Sequence, residues 1–302
     1  MTAMDKQNVD PALWPLVEAF PPIDLGPETL AAFRGAMVEL SVVPEVSSHA
    51  DVRLEAITAG DVRCLLYRPA QRRSNGALLH IHGGGFVMGL PEMDAARNIE
   101  LVRVTGCTIL SVDYRLAPEH PYPAGLEDCH TALVWLATQA TAFGIPPGRI
   151  GLIGESAGGG LAAALVQLAR DRHSVALACQ VLIYPMLVPP EQSLDTAAPD
   201  PRTGHFIWSR ASNSFAWSAY LAGAAVHESS ITGLPPTFLA VGELDLFVHD
   251  NLAHAGRLLT AGTSVEAHLY PGAIHGFDRA LEAPVAQRFT RDLVDFLLRN
   301  LG

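Results

Sequence analysis

Residues 154–158 have the sequence Gly-Glu-Ser-Ala-Gly, with Ser156 at the centre. The apolar run 149–153 before it predicts a buried strand, and the Ala- and Leu-rich run 161–170 after it predicts a helix. A serine between two glycines at a strand-to-helix turn is typical of a nucleophile elbow, because side chains at the flanking positions would clash. We therefore predict that Ser156 is a nucleophile. The alternative is a Gly-rich turn that only packs a helix closely on a sheet.

A second glycine motif lies at 82–85, where His-Gly-Gly-Gly directly follows the apolar run 77–81. A serine hydroxyl is a poor nucleophile, and it needs a base, a group that orients the base, and donors for the oxyanion. Three successive glycines allow backbone N–H groups to face a substrate with no Cβ in the way. The motif therefore predicts an oxyanion loop at the end of a strand.

The base is expected to be a histidine that follows the serine in the chain. We predict His275, because it lies in a loop between the last predicted strand, 265–270, and the last predicted helix, 285–299. From such a loop it can reach the carboxyl edge of the sheet. Other histidines fall in predicted helices or strands, and we interpret them as structural or solvated: His249, His254 and His268.

The acid that orients the base is predicted to be Asp245, which follows the predicted strand 237–241. Glu243 is the rival, because it lies two residues earlier and could point the same way. Asp250 begins a predicted helix, and we interpret it as an N-cap residue.

Metal and disulfide chemistry have weaker support in the sequence. His80 and His82 would lie on one face of a strand and could bind zinc, but no third ligand is evident nearby and glycines follow. The four cysteines form no Cys-x-x-Cys pair, and Cys107 and Cys179 lie in apolar runs that indicate core positions. We predict neither a metal site nor a disulfide framework.

Charge and hydropathy exclude several classes of partner. The chain has 20 Lys and Arg against 31 Asp and Glu, a net charge of −11, and no basic run, so we expect no nucleic-acid partner. The uncharged stretch 129–148 contains Thr, Gln and a Pro-Pro pair, which disfavours a membrane span. Residues 5–10 carry charges without an apolar segment, so we predict no secretory signal and expect a soluble, cytoplasmic protein.

Predicted strands and helices alternate along the 302 residues. An antiparallel pair is predicted at 52–57 and 62–67, before the alternating elements. The further strands are predicted at 77–81, 107–112, 149–153, 178–183, 237–241 and 265–270, and the helices at 94–104, 126–140, 161–170, 249–259 and 285–299. This alternation predicts a single α/β domain, with a mostly parallel twisted sheet covered by helices on both faces.

Two segments interrupt the alternation, 1–45 and 186–233. The first is rich in proline and holds short helical patterns, notably 28–40. The second concentrates aromatic residues: Phe206, Trp208, Phe215, Trp217 and Tyr220. We interpret both segments as a helical cap over the carboxyl ends of the strands, where ligands bind in such sheets. The alternative is a helical decoration that contacts no ligand.

Three motifs together resemble the bacterial hormone-sensitive-lipase group of α/β-hydrolase carboxylesterases. They are His82-Gly-Gly-Gly85-Phe86, the twelve residues 113–124 (Asp-Tyr-Arg-Leu-Ala-Pro-Glu-His-Pro-Tyr-Pro-Ala) and 154–159 (Gly-Glu-Ser-Ala-Gly-Gly). The resemblance runs from about residue 62 to the end of the chain. It implies an α/β-hydrolase fold with a cap in two parts.

The resemblance also implies the site residues. The family's Gly-Glu-x-Asp and His-Gly-Phe motifs match 242–245 and 275–277, which favours Asp245 over Glu243 as the acid. The implied catalytic triad is Ser156, Asp245 and His275. The implied oxyanion donors are the backbone N–H groups of Gly84, Gly85 and Ala157.

The chain departs from the family at two positions near these motifs. Glu155 stands where the family most often has Asp, and Leu246 follows Asp245 where the family often has Pro. We interpret motif 113–124 as structural support for the oxyanion loop. Four side chains are predicted to line the substrate pocket: Phe86, Tyr184, Trp208 and Phe247.

The function that the resemblance implies is hydrolysis of short- to medium-chain acyl esters by a serine carboxylesterase, through an acyl-enzyme intermediate. This mechanism requires no metal or organic cofactor, and its partner is a small-molecule ester. Members of the family are often dimeric, so a homodimer is one expected assembly. Two alternatives stay open: an amide or lactone hydrolase with the same triad, and a non-catalytic binding protein on the same fold. The plant gibberellin receptor is an example of the second. It lacks the triad histidine, whereas Ser156, Asp245 and His275 are all present in this chain.

Overall fold

A computed structural model describes residues 8–20, 24–41, 51–70, 75–225 and 230–302. In chain order the strands of this part are β1 (Val52–Ala59), β2 (Val62–Pro69), β3 (Ala77–Ile81), β4 (Thr108–Val112), β5 (Ile150–Glu155), β6 (Cys179–Ile183), β7 (Thr237–Gly242) and β8 (Val265–Tyr270). They form one sheet in the order β1-β2-β4-β3-β5-β6-β7-β8. β2 pairs antiparallel with β1 and β4, and every other neighbouring pair is parallel. The predicted α/β fold class is confirmed.

Helices connect the parallel strands and cover both faces of the sheet. They are α1 (Trp14–Ala19), α2 (Leu30–Leu40), α3 (Ala95–Thr105), α4 (Ala124–Gln139), α5 (Ala157–Asp171), α6 (Leu194–Ala197), α7 (Arg210–Leu221), α8 (Val248–Thr260) and α9 (Pro284–Leu301). In the described residues, none of these helices combines the length and apolar composition that crossing a membrane requires.

The central strands are buried along their whole length. Every residue of β3, β4, β5, β6 and β7 is buried, as expected for strands that helices cover on both faces. Successive side chains point to opposite faces, so Leu78 and Leu79 join different apolar clusters. Leu79 packs in the cluster that contains residues of α4 and α5, and Leu78 in the one that contains residues of α3 and α9. The helices on the two faces fix the sheet between them, with the carboxyl ends of its parallel strands at one edge.

The cysteines belong to this core. All four lie within the described residues and are buried: Cys64, Cys107, Cys129 and Cys179. The predicted core positions of Cys107 and Cys179 are confirmed.

The largest difference from the predicted elements is the start of α5. The sequence predicts a helix from 161, but α5 begins at Ala157, directly after the serine. A Cβ on Gly158 would lie 2.0 Å from the carbonyl oxygen of Ile81, so only glycine allows the first turn to approach the end of β3 this closely. The poor helix propensity of glycine is outweighed here by close packing of the helix on the sheet.

The two segments predicted as a cap contact each other. The backbone N–H of Leu25 donates to Ser212 Oγ at 2.9 Å, and Ser209 Oγ donates to Asp24 at 2.6 Å. Arg34 of α2 donates to the carbonyl oxygen of Val87, just past the glycine loop. Parts of the predicted cap lie outside the described residues, at 1–7, 21–23, 42–45 and 226–229.

Candidate active site

Ser156 occupies the turn between β5 and α5 in a backbone conformation that non-glycine residues rarely adopt, with φ 53° and ψ −119°. Three backbone hydrogen bonds hold the turn. Its N–H donates to Ile183 O at 2.9 Å, and its carbonyl accepts from the N–H groups of Gly160 at 3.0 Å and Met186 at 2.9 Å. A strained conformation that its surroundings fix in this way is frequent at functional sites.

The predicted base and acid lie in line with this serine. His275 Nε2 is 3.0 Å from Ser156 Oγ, and His275 Nδ1 is 2.8 Å from Asp245 Oδ2. The other carboxylate oxygen of Asp245 accepts the backbone N–H of Phe247 at 2.9 Å. All three side chains are buried, and Asp245 is fully so. The loops after β5, β7 and β8 thus bring together residues far apart in the chain.

Glu243, the rival acid, and Asp250 bind other groups. Glu243 contacts Arg202 at 3.1 Å and accepts the backbone N–H of Gly272 at 3.1 Å. The Asp250 carboxylate accepts a hydrogen bond from Ser193 Oγ at 2.6 Å and another from the backbone N–H of Leu194 at 2.8 Å. The prediction that Asp250 is an N-cap is wrong, because α8 begins at Val248 and leaves Asp250 in its first turn.

The other histidines of predicted helices and strands lie outside the line of the candidate triad. His249 contacts Asp200 at 3.2 Å, and His268 contacts Glu266 at 3.0 Å. Burial lowers the pKa of His254 to about 4.

The His-Gly-Gly-Gly loop turns back on itself next to the serine. Gly84 and Gly85 have φ of 119° and 61°, and Gly84 O accepts the N–H groups of Val87 and Met88 at 3.1 and 3.0 Å. Among the turn and loop hydrogen bonds of the described backbone, none is donated by the amides of Gly84 and Gly85. These two amides, and that of Ala157 at the start of α5, are the candidate oxyanion donors.

Motif 113–124 supports this loop, as predicted. Tyr114 OH donates to the carbonyl oxygen of His82 at 3.0 Å, and the two rings stack with centroids 4.3 Å apart. Further along, the N–H of Ala117 donates to Phe86 O at 3.0 Å. The contacts fix both ends of the glycine run.

Three of the four predicted pocket side chains surround the His275 ring. The centroid distances to it are 4.6 Å for Tyr184, 5.4 Å for Phe247 and 6.4 Å for Trp208. The fourth, Phe86, is buried and stacks instead on Tyr220 of α7, with centroids 4.1 Å apart.

His80 and His82 do not converge on one point. His82 Nδ1 lies 2.8 Å from Gly83 O, whereas His80 Nε2 lies 3.2 Å from Glu155 and 3.8 Å from Asp94. Within the described residues, His80, Asp94 and Glu155 are the one group with the spacing of metal ligands. The guanidinium of Arg97 contacts both carboxylates, so the positive charge next to them comes from a side chain.

The charged group around Arg97 was not predicted from the sequence. Arg97 pairs with Asp278 at 2.6 Å, and Arg279 pairs with Asp94 at 2.9 Å. Burial lowers the pKa of Arg97, but the neighbouring carboxylates outweigh burial and raise it above its ordinary value. Asp278 and Arg279 directly follow the His-Gly-Phe motif, which is the one signal that could have drawn attention to them.

An eight-stranded, mostly parallel sheet with a strand–serine–helix turn is the architecture of an α/β hydrolase. The chain matches the family described as "alpha/beta hydrolase fold" over residues 78–279. It is similar to carboxylesterase NlhH of Mycobacterium tuberculosis, with 32% identity over 94% of each chain. It is also similar to an ethyl acetate hydrolase of Pseudomonas putida, with 31% identity over 71% of this chain and 70% of the other.

Among solved structures, esterase LipW from Mycobacterium marinum is similar to this chain with a TM-score of 0.87 and 30% identity, over 99% of both chains. The chain therefore belongs to the hormone-sensitive-lipase-like carboxylesterases of the α/β-hydrolase fold. It is a carboxylic ester hydrolase, and the family resemblance drawn from the three motifs is confirmed.

Proposed function

We propose that this enzyme hydrolyses short- to medium-chain acyl esters with Ser156, His275 and Asp245 as its catalytic triad. The observation that carries the proposal is the unbroken line of contacts from Ser156 Oγ through both ring nitrogens of His275 to Asp245. Such a line lets the imidazole accept the hydroxyl proton at Nε2 while its Nδ1–H is held by a carboxylate.

The reaction proceeds in two halves. Ser156 Oγ attacks the ester carbonyl carbon as His275 Nε2 takes its proton, and the tetrahedral oxyanion accepts hydrogen bonds from the Gly84, Gly85 and Ala157 amides. The intermediate collapses, the alcohol leaves with the proton from His275, and an acyl-enzyme remains. Water then attacks the acyl carbon while His275 accepts its proton, and the carboxylic acid departs as the proton returns to Ser156 Oγ.

The acyl pocket is proposed to lie among the aromatic side chains next to His275, covered by the segments 1–45 and 186–233. Trp208 supports this placement, because its indole packs against Gly85 on one side and lies near His275 on the other. Bulky rings so close to the reacting atoms favour small acyl groups over long ones. The name of the Pseudomonas putida relative, an ethyl acetate hydrolase, agrees with a short acyl chain.

A panel of p-nitrophenyl esters from acetate to laurate tests the substrate class, with a p-nitroanilide and a lactone beside it. We expect the highest kcat/KM on a short or medium chain and little turnover of the amide and lactone. His275→Ala is expected to remain folded and to lose about 10³-fold or more in turnover. Preference for the anilide or lactone would replace the ester proposal with the neighbouring hydrolase, and unchanged turnover of His275→Ala would refute the base.

We also propose a cytoplasmic enzyme without a nucleic-acid partner. Three buried cysteines that form no disulfide, Cys64, Cys129 and Cys179, support the compartment, and the net charge of −11 disfavours nucleic acid. A homodimer is one assembly that the family resemblance suggests. Light scattering coupled to size-exclusion chromatography tests it, because a monomer would give the mass of one 32.2 kDa chain.

A further inference from the structure

A group of buried charges lies next to the proposed triad, and its centre is Arg97 of α3. The guanidinium pairs with Glu155, with Asp278 at 2.6 Å and with Asp94 at 3.2 Å. The carboxylate side chains are at most 3% exposed, and that of Arg97 is 16% exposed. A planar guanidinium can donate to several carboxylates at once, so Arg97 links all three of them.

One of these contacts leads to the nucleophile. Glu155 is the last residue of β5 and directly precedes Ser156, whose φ of 53° must be held in place by its neighbours. Besides Arg97, the Glu155 carboxylate contacts His80 Nε2 at 3.2 Å. Arg97 therefore anchors the peptide that enters the serine turn.

A second contact leads to the base. Asp278 lies three residues after His275, and its other oxygen accepts the hydroxyl of Tyr184 at 2.5 Å. The Tyr184 ring lies against the His275 ring, with centroids 4.6 Å apart. Like Ser156, Tyr184 has a positive φ, here 35°, which non-glycine residues rarely adopt. Arg97 therefore also anchors the support of the imidazole.

We propose that Arg97 is a positioning residue for ester hydrolysis: through Glu155 on one side and the Asp278–Tyr184 pair on the other, it sets the distance between Ser156 Oγ and His275 Nε2. This inference rests on the proposed function of that site. Arg97 touches none of the reacting atoms. It acts by fixing the position of the two loops that carry them relative to each other.

The substitution Arg97→Lys tests the bridge while it keeps the positive charge. An ammonium group is a point charge and cannot hold three carboxylates in the geometry of a planar fork, so the two loops are expected to separate slightly. A misplacement of reacting groups by about 1 Å costs about 10²-fold in rate. We expect Arg97→Lys to lower kcat by about 10- to 100-fold with KM nearly unchanged, because substrate binding is left intact.

Arg279→Lys is the matched control. Arg279 belongs to the same buried group and places its charge near Tyr184 and Asp278, but its ion pair is with Asp94. Lysine keeps that charge, so the substitution removes only the guanidinium geometry. One ion pair is within reach of an ammonium group, so Arg279→Lys is expected to keep wild-type kcat and KM. Equal losses in both variants would show a general effect of the charged group and overturn the proposal.

Two milder variants decide the matter if Arg97→Lys does not fold. Glu155→Gln removes the charge that faces Arg97 on the nucleophile side, and Tyr184→Phe removes only the hydroxyl on the base side. Each is expected to lower kcat without raising KM, and the double variant should lose less than the product of the two effects, because both act on one distance. Wild-type kcat in both single variants, with or without a lower Tm, would mean that the group serves stability alone.

Ser156→Ala separates this proposal from the function on which it rests. If Ser156→Ala retains ester turnover, the proposed triad fails whatever Arg97 does. If Ser156→Ala is inactive and Arg97→Lys equals the wild type, the triad stands and the positioning role of Arg97 is refuted.

Discussion

The glycine loop before the serine offers a sharp test of oxyanion stabilisation, through the substitution Gly84→Ala. Gly84 has a φ of 119°, and a Cβ there would lie 2.1 Å from Met88 O and 2.6 Å from the carbonyl carbon of the same residue. Real Cβ atoms essentially never come closer than 3.0 Å to a non-bonded heavy atom of another residue, so the loop must move by about 1 Å. That movement takes the Gly84 and Gly85 amides away from the oxyanion.

The size of the effect follows from the donors that are displaced. Loss of one oxyanion donor costs about 10²- to 10³-fold in kcat, equal to about 3–4 kcal/mol of transition-state stabilisation. We expect this loss in kcat for p-nitrophenyl butyrate, with a much smaller change in KM, because the oxyanion forms only after the substrate has bound. The strained conformation adds a stability cost of about 1–3 kcal/mol, which thermal unfolding measures.

Gly262→Ala is the matched control for backbone strain. Gly262 lies between α8 and β8 with a φ of 85°, and a Cβ there meets nothing within 4 Å. This variant is expected to lose a similar amount of stability and to keep wild-type kcat. The reasoning is refuted if Gly84→Ala keeps wild-type kcat while folded, or if Gly262→Ala loses as much activity.

Three further predictions concern the acid, a buried histidine and the pocket. Asp245→Asn should lower kcat by about 10³- to 10⁴-fold with little change in Tm, while Glu243→Gln keeps wild-type kcat; the reverse result would exchange their roles. Burial lowers the pKa of His254 to about 4, so between pH 6.5 and 4 the unfolded chain binds more protons than the folded one. As the pH falls through that window, this histidine therefore lowers the free energy of unfolding by about 3 kcal/mol. Urea unfolding at pH 6.5 and at pH 4 should therefore show a smaller loss of unfolding free energy in His254→Leu than in the wild type. An equal loss would contradict this assignment. Trp208→Leu should shift the ester preference towards longer acyl chains, whereas the control Trp135→Leu in α4 should leave it unchanged. If both variants keep the chain-length profile of the wild type, Trp208 lies outside the pocket.

The sheet could be predicted closely because its strands are short apolar runs bounded by turn residues. β3 and β8 have the predicted bounds, and the other strands of the parallel part differ by one or two residues at one or both ends. The start of α5 was the main error, since three glycines at 158–160 indicate a loop by propensity. The close approach to β3 that requires glycine is visible only in three dimensions.

The candidate triad could be predicted for a related reason: each member lies in a short motif just after a predicted strand, and such strand ends meet at one edge. The role of Arg97 could not be predicted this way. Its partners Glu155 and Asp278 are 58 and 181 residues away in the chain, and nothing in the local sequence of α3 indicates that they meet. The stacking of Phe86 on Tyr220 likewise depends on packing against α7.

The central claim is that Ser156 is the nucleophile, and labelling with diethyl p-nitrophenyl phosphate tests it most directly. The phosphoryl group mimics the attacked carbonyl and stays on the side chain that attacks it, so peptide mass spectrometry identifies that residue. We predict one diethylphosphoryl group per chain on Ser156, released p-nitrophenol in equal amount and complete loss of ester hydrolysis, with no labelling of Ser156→Ala. Full inactivation with the label on another residue, or full activity after Ser156 is labelled, would contradict the account.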